Sequence, residues 1–318
     1  MILRNRNLRQ PRGLSDLRST GHSRTIPTVS VVIPTVGRPT LRAAVDSIRR
    51  QSVPPAEIVI VNDSVKQVSV ISELDADIIE EFTGGSRGPS AARNRGMSRA
   101  QGEFIAYLDD DDLWFPHHIA SALQSFSRTP ELDLYACTMI EPQTFGLDRS
   151  SKVEYQGRED LIDFFYGRYC WANRRRSIPP STWVFRRETC DLPMDEALRV
   201  REDMWLLLNL DKRGKLIRQS AIPGGVWFTD PERSFGRESA EILIDWAQRV
   251  EGLRNGAGQY FVLGVMGRYY ARTGMRDEWV ELIGSIPREW KIGWDYRLIR
   301  AIENISLQRQ KAMLAGKT

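Results

Sequence analysis

The sequence predicts an α/β fold, with a mostly parallel central sheet flanked by helices and an α-helical extension at the carboxyl end. From Thr28 onward, short apolar runs alternate with segments of helical periodicity, which is typical of domains built on a parallel sheet. Residues 104–108 (Phe-Ile-Ala-Tyr-Leu) are apolar at every position, so we expect a strand that is buried on both faces. The chain has 318 residues, which is enough to bury a large core.

In the first half of the chain, predicted strands and helices alternate. Strands are predicted at residues 29–33, 57–61, 77–82 and 104–108. Helices are predicted from Pro39 to just before Val53, from Ser90, as the cap, to Ala100, and over residues 116–128. His117 and His118 are interpreted as the opening of this last helix, with a place near a ligand as the alternative.

The second half is predicted to become helical towards its end. Residues 132–140 and 182–185 are predicted strands, residues 141–180 are less regular, and residues 201–209 begin a helix. Further helices are predicted at residues 242–250, 259–272, 277–286 and 296–314. Their apolar stripes are expected to form core that covers one side of the preceding domain and helps to shape its cleft, and a homodimer interface is the alternative.

Charge and cysteine content limit the class of protein. The net charge is +4, and residues 1–24 hold six arginines against one aspartate, so we predict a basic disordered tail over residues 1–27. The chain has no apolar run long enough to span a membrane, and its three widely spaced cysteines fit neither a disulfide framework nor a zinc site. We therefore expect a cytoplasmic protein with no nucleic-acid partner and at most peripheral contact with a membrane.

Four consecutive aspartates, Asp109 to Asp112, follow the buried strand at residues 104–108. The carboxyl ends of parallel strands form the edge where open α/β folds bind ligands. Adjacent carboxylates repel one another, and their hard oxygens suit Mg²⁺ or Mn²⁺, which are often shared with substrate phosphates. The run predicts a metal–diphosphate site, and a solvated acidic loop is the alternative interpretation.

Other polar residues are expected at the same edge of the sheet. Pro34 and Thr35 follow the first strand, and Asp63 follows the second. A helix that starts after Gly88 would add free N–H groups suited to an anion. Each feature alone is also typical of a turn or a cap, but together they predict one ligand site.

These residues resemble the motifs of the family 2 glycosyltransferases, which have the GT-A fold. The matching segments are residues 29–35 (VSVVIPT), 58–63 (IVIVND), 92–96 (ARNRG), 102–112 (GEFIAYLDDDD) and 202–203 (ED). The resemblance covers roughly residues 28–235 and implies a nucleoside-diphosphate sugar donor, a divalent metal at a DxD motif, and inversion at the anomeric carbon. It implies a transferase domain over residues 28–238 and a helical extension over residues 239–318.

The resemblance also implies roles for individual residues. Pro34, Thr35 and Asp63 would cradle the nucleotide base, with Arg38 in the same loop. Arg93 would support the nucleotide pocket.

The acids would divide the remaining roles. Asp109 and Asp111 would contact the ribose and the metal, with Asp110 as the alternative if the motif is shifted by one residue. Asp203 would be the general base, with Glu202 second.

Departures from the family pattern leave alternatives open. The chain lacks the Gln-x-x-Arg-Trp motif of processive synthases, and residues 193–196 (PMDE) replace the usual run before the acidic pair. Residues 233–237 are either a loop over the diphosphate or a polar linker. The sequence does not distinguish UDP-linked from dTDP-linked donors, and the acceptor is a glycan, a lipid-linked precursor or a small natural product.

Two other classes of protein remain as alternatives to a glycosyltransferase. They are a sugar-nucleotide nucleotidyltransferase and a non-catalytic module that binds a sugar nucleotide.

Overall fold

The computed structural model describes residues 27–65, 78–143, 146–166, 176–198, 200–228, 238–287 and 290. The predicted tail lies almost wholly outside the described residues. The predicted loop at 233–237 and the predicted helix at 296–314 lie entirely outside them.

The described residues form a mixed sheet that is parallel on one side. Its strands are β1 (Val29–Thr35), β2 (Glu57–Asn62), β3 (Ile78–Phe82), β4 (Phe104–Tyr107), β5 (Leu113–Trp114), β6 (Leu134–Gln143), β7 (Gly146–Arg149), β8 (Val184–Arg186) and β9 (Ile217–Val226). They lie in the order β3-β2-β1-β4-β8-β6-β9-β5, and β7 pairs with β6. The first four strands of this order are parallel, β8 is antiparallel to both β4 and β6, and β9 is parallel to β6. This architecture confirms the predicted α/β class.

Helices cover both faces of this sheet. They are α1 (Leu41–Arg49), α2 (Pro89–Arg99), α3 (His118–Arg128), α4 (Leu161–Tyr166), α5 (Glu202–Lys212), α6 (Ala240–Leu253), α7 (Ala257–Gln259), α8 (Gly267–Thr273) and α9 (Arg276–Ser285). A π-helical segment, Tyr260–Met266, joins α7 to α8. Among the described residues, no helix has both the length and the apolar content to cross a membrane.

The core has two clusters, one on each face of the sheet. In β1 the side chains alternate, so Val31 and Ile33 join the cluster with α1 and α3, while Val32 faces the other cluster. Helix α2 lies close to the sheet on that second face, because a Cβ at Gly96 would come within 2.2 Å of Val32 Cγ1. The close contact places the start of α2 beside the carboxyl ends of β1 and β2.

The carboxyl-terminal helices pack into the same cluster as α2, α4 and α5. Trp246, Phe261 and Trp279 are at most 2% exposed, and the rings of Trp246 and Phe261 contact Tyr166 of α4. The prediction that their apolar stripes form core is confirmed. The homodimer and the domain boundary at residue 238 stay predictions.

Several elements differ from the sequence prediction. Strand β9 and helix α4 were not predicted, and α4 lies in the segment expected to be less regular. In β9, Pro223 and the two following glycines hide the strand pattern in the sequence. The glycines are nevertheless required, because neither position has room for a side chain. A Cβ at Gly224 would lie 2.4 Å from Cys137 Sγ, and one at Gly225 would lie 2.1 Å from the carbonyl oxygen of Leu113.

Two local predictions concern the residues at which helices begin. The prediction that Ser90 caps α2 is wrong, because the cap is Gly88 and Pro89 fills the first turn. The prediction that His118 opens a helix is confirmed, and burial lowers the pKa of this fully buried histidine to about 3.

Candidate active site

The order of the strands brings the predicted site residues to one edge. Strands β2, β1 and β4 are neighbours and parallel, so their carboxyl ends lie side by side. Pro34 and Thr35 end β1, Asp63 follows β2, and the four aspartates follow β4. This edge is the expected ligand-binding position of an open α/β sheet.

The four aspartates alternate between buried and partly exposed positions. Asp110 and Asp112 are at most 1% exposed, whereas the side chains of Asp109 and Asp111 are 28% and 35% exposed. Asp110 accepts hydrogen bonds from Thr35 Oγ1 (2.5 Å) and from Arg38. Asp109 and Asp111 are therefore the two acids of the run that a ligand can reach, which favours the unshifted Asp-x-Asp frame.

Asp112 is hydrogen-bonded to the backbone that directly follows β9. Its Oδ1 accepts a hydrogen bond from the backbone N–H of Phe228 (3.0 Å), and burial raises its pKa well above the ordinary value. Phe228 directly follows Trp227 after β9, so this bond joins the aspartate turn to that strand. The acid is placed to hold the turn rather than to meet a ligand.

Asp111 is the acid of the run that could share a cation with a ligand. Its Oδ2 lies 3.3 Å from Arg38 Nη1, and partial burial raises its pKa despite the opposing charge of Arg38. In the part of the chain that the structure describes, no three His, Cys, Asp or Glu side chains converge as a complete metal cage. Mg²⁺ is commonly held by one or two carboxylates together with substrate phosphates, and this donor set fits such a shared ion.

Asp63 organises the loop that follows β3. Its Oδ1 accepts hydrogen bonds from Thr83 Oγ1 and from the backbone N–H of Arg87 (2.9 Å), and its Oδ2 accepts one from the N–H of Gly88 (2.8 Å). A carboxylate has about four acceptor positions, so one remains on Oδ2 for a ring N–H. The predicted contact with the base stays a prediction that the geometry permits.

Arg93 joins the two acidic clusters. It lies on α2 with its side chain 5% exposed, its Nη2 is 2.6 Å from Asp109 Oδ1, and its Nη1 is 3.2 Å from Glu202 Oε1. Burial alone would lower the pKa of Arg93, but the charges of Asp109 and Glu202 outweigh it and raise this pKa. A buried guanidinium thus spans the distance between the aspartate turn and the start of α5.

Glu202 and Asp203 form the first turn of α5, and their environment favours the protonated forms. Burial and then the neighbouring Asp203 raise the pKa of Glu202 to about 7, against the attraction of Arg93. Burial also raises the pKa of Asp203. Glu202 is held by the ion pair with Arg93, while Asp203 forms no ion pair within 4 Å among the described residues.

Two contributors to the site had no clear signal in the sequence. The Oγ of Ser181 accepts a hydrogen bond from the backbone N–H of Asp109 (3.0 Å), although the two residues are 72 positions apart. Arg201 adopts a left-handed backbone directly before the Glu202-Asp203 pair, with φ 59° and ψ 23°. A serine after two prolines and an arginine before two acids are too common to mark a site.

A known family model matches the part of the chain that carries most of this arrangement. The family model for glycosyl transferase family 2 matches residues 30–191, which include the three strand ends and the aspartate turn. The chain belongs to glycosyl transferase family 2. The predicted family resemblance is confirmed, and the acidic pair at Glu202 lies beyond the matched segment.

Individual curated relatives match over shorter segments. An uncharacterized glycosyltransferase of Bacillus subtilis, YwdF, is 40% identical over 94 residues, 29% of this chain and 35% of its own length. The GalNAc(5)-diNAcBac-PP-undecaprenol beta-1,3-glucosyltransferase of Campylobacter jejuni is 36% identical over 106 residues, 31% of this chain and 34% of its own length. The first four curated relatives are matched over only 34% to 54% of their own length.

Solved structures resemble a larger part of the chain. The crystal structure of S. aureus TarS residues 1–349 in complex with UDP-GlcNAc has a TM-score of 0.60 and 16% sequence identity, covering 91% of this chain and 92% of that one. At this identity the likeness concerns the fold, and it extends over most of the chain.

Proposed function

We propose that this protein is a metal-dependent, inverting glycosyltransferase that transfers a sugar from a nucleoside-diphosphate sugar to an acceptor hydroxyl or amine. The observation that supports it most is the double ion pair of buried Arg93, which holds Asp109 and Glu202 at a fixed separation. The acid proposed to bind the donor and the candidate base pair are thereby held by one guanidinium. Such preorganisation is what a displacement at a sugar carbon requires.

On the donor side, each residue has a distinct task. Asp63 would bind the base, Asp109 the ribose, and Asp111 a divalent cation shared with the diphosphate. When bound, that cation neutralises the charge that grows on the leaving diphosphate. Arg38, 3.3 Å from Asp111, supplies a fixed positive charge beside the same position.

On the acceptor side, Asp203 removes the proton from the attacking group. A general base works best with a pKa near the working pH, and burial raises the pKa of Asp203 in that direction. Glu202 is less suited, because Arg93 holds it in an ion pair. The attack comes from the face opposite the diphosphate, so the anomeric configuration inverts.

UDP-linked sugars are the first donors to test. The TarS structures of similar fold were solved with UDP-GlcNAc and with UDP. Among the curated relatives, the Campylobacter jejuni protein is named for a lipid-linked acceptor, and a Rhizobium meliloti relative is named for succinoglycan biosynthesis. These names support a glycan or lipid-linked acceptor for this chain.

A thermal-shift panel of UDP, dTDP, GDP and ADP, each with and without Mn²⁺, tests the donor class. A ligand at 100 times its dissociation constant stabilises the folded state by about 2.7 kcal/mol. We expect the largest Mn²⁺-dependent rise in Tm with UDP or dTDP, and its loss in Asp111→Asn. The control is Asp245→Asn, on an exposed part of α6, which should behave as wild type. A rise that is independent of Mn²⁺ and equal in Asp111→Asn would contradict the metal site.

A further inference from the structure

The backbone at Arg201 is strained in a way that the transfer chemistry does not explain. With φ 59°, Arg201 is one of two non-glycine residues with positive φ among the described residues, and Ser86 is the other. A non-glycine residue is disfavoured in this region and persists there only where the surroundings hold it. Because Arg201 is 9% exposed and directly precedes the acidic pair, its surroundings set the path of the chain into α5.

The side chain of Arg201 is held by the carboxyl-terminal helices. Its Nη2 lies 2.9 Å from Glu238 Oε1. Its guanidinium carbon lies 5.2 Å from the ring centroid of Phe261 and 5.9 Å from that of Trp246. A carboxylate and two aromatic rings suit the planar guanidinium, because it forms ion pairs and packs on ring faces at the same time.

The partners of Arg201 are themselves well anchored. Glu238 precedes the cap of α6, and Trp246 of that helix donates a hydrogen bond from Nε1 to the Tyr166 hydroxyl (3.1 Å). Phe261 lies in the π-helical segment Tyr260–Met266 and is fully buried. Segments of π-helix are rare and are frequently found at functional sites.

The anchored residue starts the helix that carries the proposed base. The carbonyl oxygen of Arg201 accepts a hydrogen bond from the N–H of Trp205 (2.9 Å), so the position of Arg201 determines where the first turn of α5 begins. That turn carries Glu202, whose Oε1 lies 3.2 Å from Arg93 Nη1, and Asp203, the proposed base.

We infer that Arg201 is a positioning residue, through which the carboxyl-terminal helices set the geometry of the Glu202-Asp203 pair. Its contacts with Glu238, Phe261 and Trp246 hold the left-handed turn, and the turn aims the two acids. The catalytic part of this inference rests on the proposed function, whereas the structural part does not.

The role of Arg201 is mechanical rather than electrostatic. Burial and the neighbouring carboxylates raise the pKa values of Glu202 and Asp203, and the positive charge of Arg93 opposes this rise. The guanidinium of Arg201 is instead directed to Glu238 and the two rings. Loss of the side chain is therefore expected to disorder the turn rather than to remove a charge from the reaction.

The test compares Arg201→Met with Arg249→Met as the matched control. Arg249 also reaches α5 from the carboxyl-terminal helices, with its guanidinium carbon 5.8 Å from the Trp205 ring, but it holds no strained backbone. We expect hydrogen exchange at the first amides of α5 to become at least tenfold faster in Arg201→Met, with β1 and β2 unchanged. In Arg249→Met these rates should stay at the wild-type level.

Steady-state kinetics gives the second readout. Misplacement of a catalytic group by about 1 Å costs on the order of 100-fold in rate, so kcat should fall 10- to 100-fold in Arg201→Met while the donor KM changes less than twofold. Arg201→Lys, which keeps the charge near Glu238, should retain more activity than Arg201→Met. Should Arg201→Met not fold, Glu238→Gln is the milder variant and should show the same local pattern.

The two proposals fail in different ways. Wild-type exchange at α5 in a folded Arg201→Met, or a uniform increase across the whole chain, would overturn the positioning role. If the wild-type protein transfers no sugar, the proposed function fails, and the exchange comparison still decides the role of Arg201.

Discussion

Glu202→Gln should change how the stability of the protein depends on pH. In the folded state, burial and the neighbouring Asp203 raise the pKa of Glu202 from 4.5 to about 7. Between these values the folded state keeps a proton that the unfolded chain has released. The unfolded state therefore binds fewer protons, and the free energy of unfolding falls as the pH rises through this range.

The size of the effect follows from the pKa difference. A pKa difference of one is worth about 1.4 kcal/mol, so a change from 4.5 to about 7 corresponds to about 3 kcal/mol. This cost of ionising Glu202 is absent below pH 4.5 and complete above about pH 7. A glutamine does not ionise, so the stability of the variant relative to wild type should rise by about 3 kcal/mol between pH 4 and pH 8.

Urea unfolding followed by tryptophan fluorescence, at half-unit steps from pH 4 to pH 8.5, measures this difference. Glu241→Gln, at an exposed position of α6, is the matched control and should follow the wild-type profile. Parallel pH profiles for wild type and Glu202→Gln would contradict this explanation, because they would show that Glu202 ionises equally well in the folded and unfolded states.

Three further predictions concern the same site. Asp203→Asn should keep the Mn²⁺-dependent nucleotide affinity by calorimetry but lose transfer by about 10²- to 10⁴-fold, and greater damage from Glu202→Gln would exchange the two roles. Arg93→Met leaves Asp109 and Glu202 without their shared cation, so the free energy of unfolding measured in urea should fall by about 3–5 kcal/mol. An unchanged midpoint would show that Arg93 does not hold the two acids together. The wild-type transfer rate should rise with pH across a range above the ordinary pKa of an aspartate, because burial raises the pKa of Asp203, and a flat profile from pH 5 to pH 8 would contradict a carboxylate base in this environment.

The sequence was sufficient to predict the strands of the parallel half of the sheet. Strands β1, β2 and β4 are mostly apolar and are followed by polar residues, so their pattern indicates both the strand and its ligand-binding end. Strand β9 could not be found in this way, because Pro223 and the two following glycines suggest a turn. Those glycines are required by contacts with Cys137 and Leu113, which are distant in sequence.

The candidate site was predictable in composition but not in detail. Four identical aspartates give no indication of which side chains are buried. Their alternation depends on Thr35, Arg38 and the backbone of Phe228, and each of these lies far from the aspartates in sequence. Likewise, the sequence places Arg93 in a family motif, but its two carboxylate partners follow from the packing of α2 between the sheet and α5.

Donor turnover by the wild-type protein tests the proposed transfer most directly. The protein is incubated with UDP-GlcNAc and Mn²⁺ without acceptor, UDP release is measured, and the anomeric configuration of the released sugar is read by proton NMR before mutarotation. We predict slow Mn²⁺-dependent release with inversion, reduced at least 100-fold in Asp203→Asn while nucleotide binding persists. Tight nucleotide binding without turnover across UDP- and dTDP-linked sugars, or a sugar released with retained configuration, would contradict an inverting glycosyltransferase.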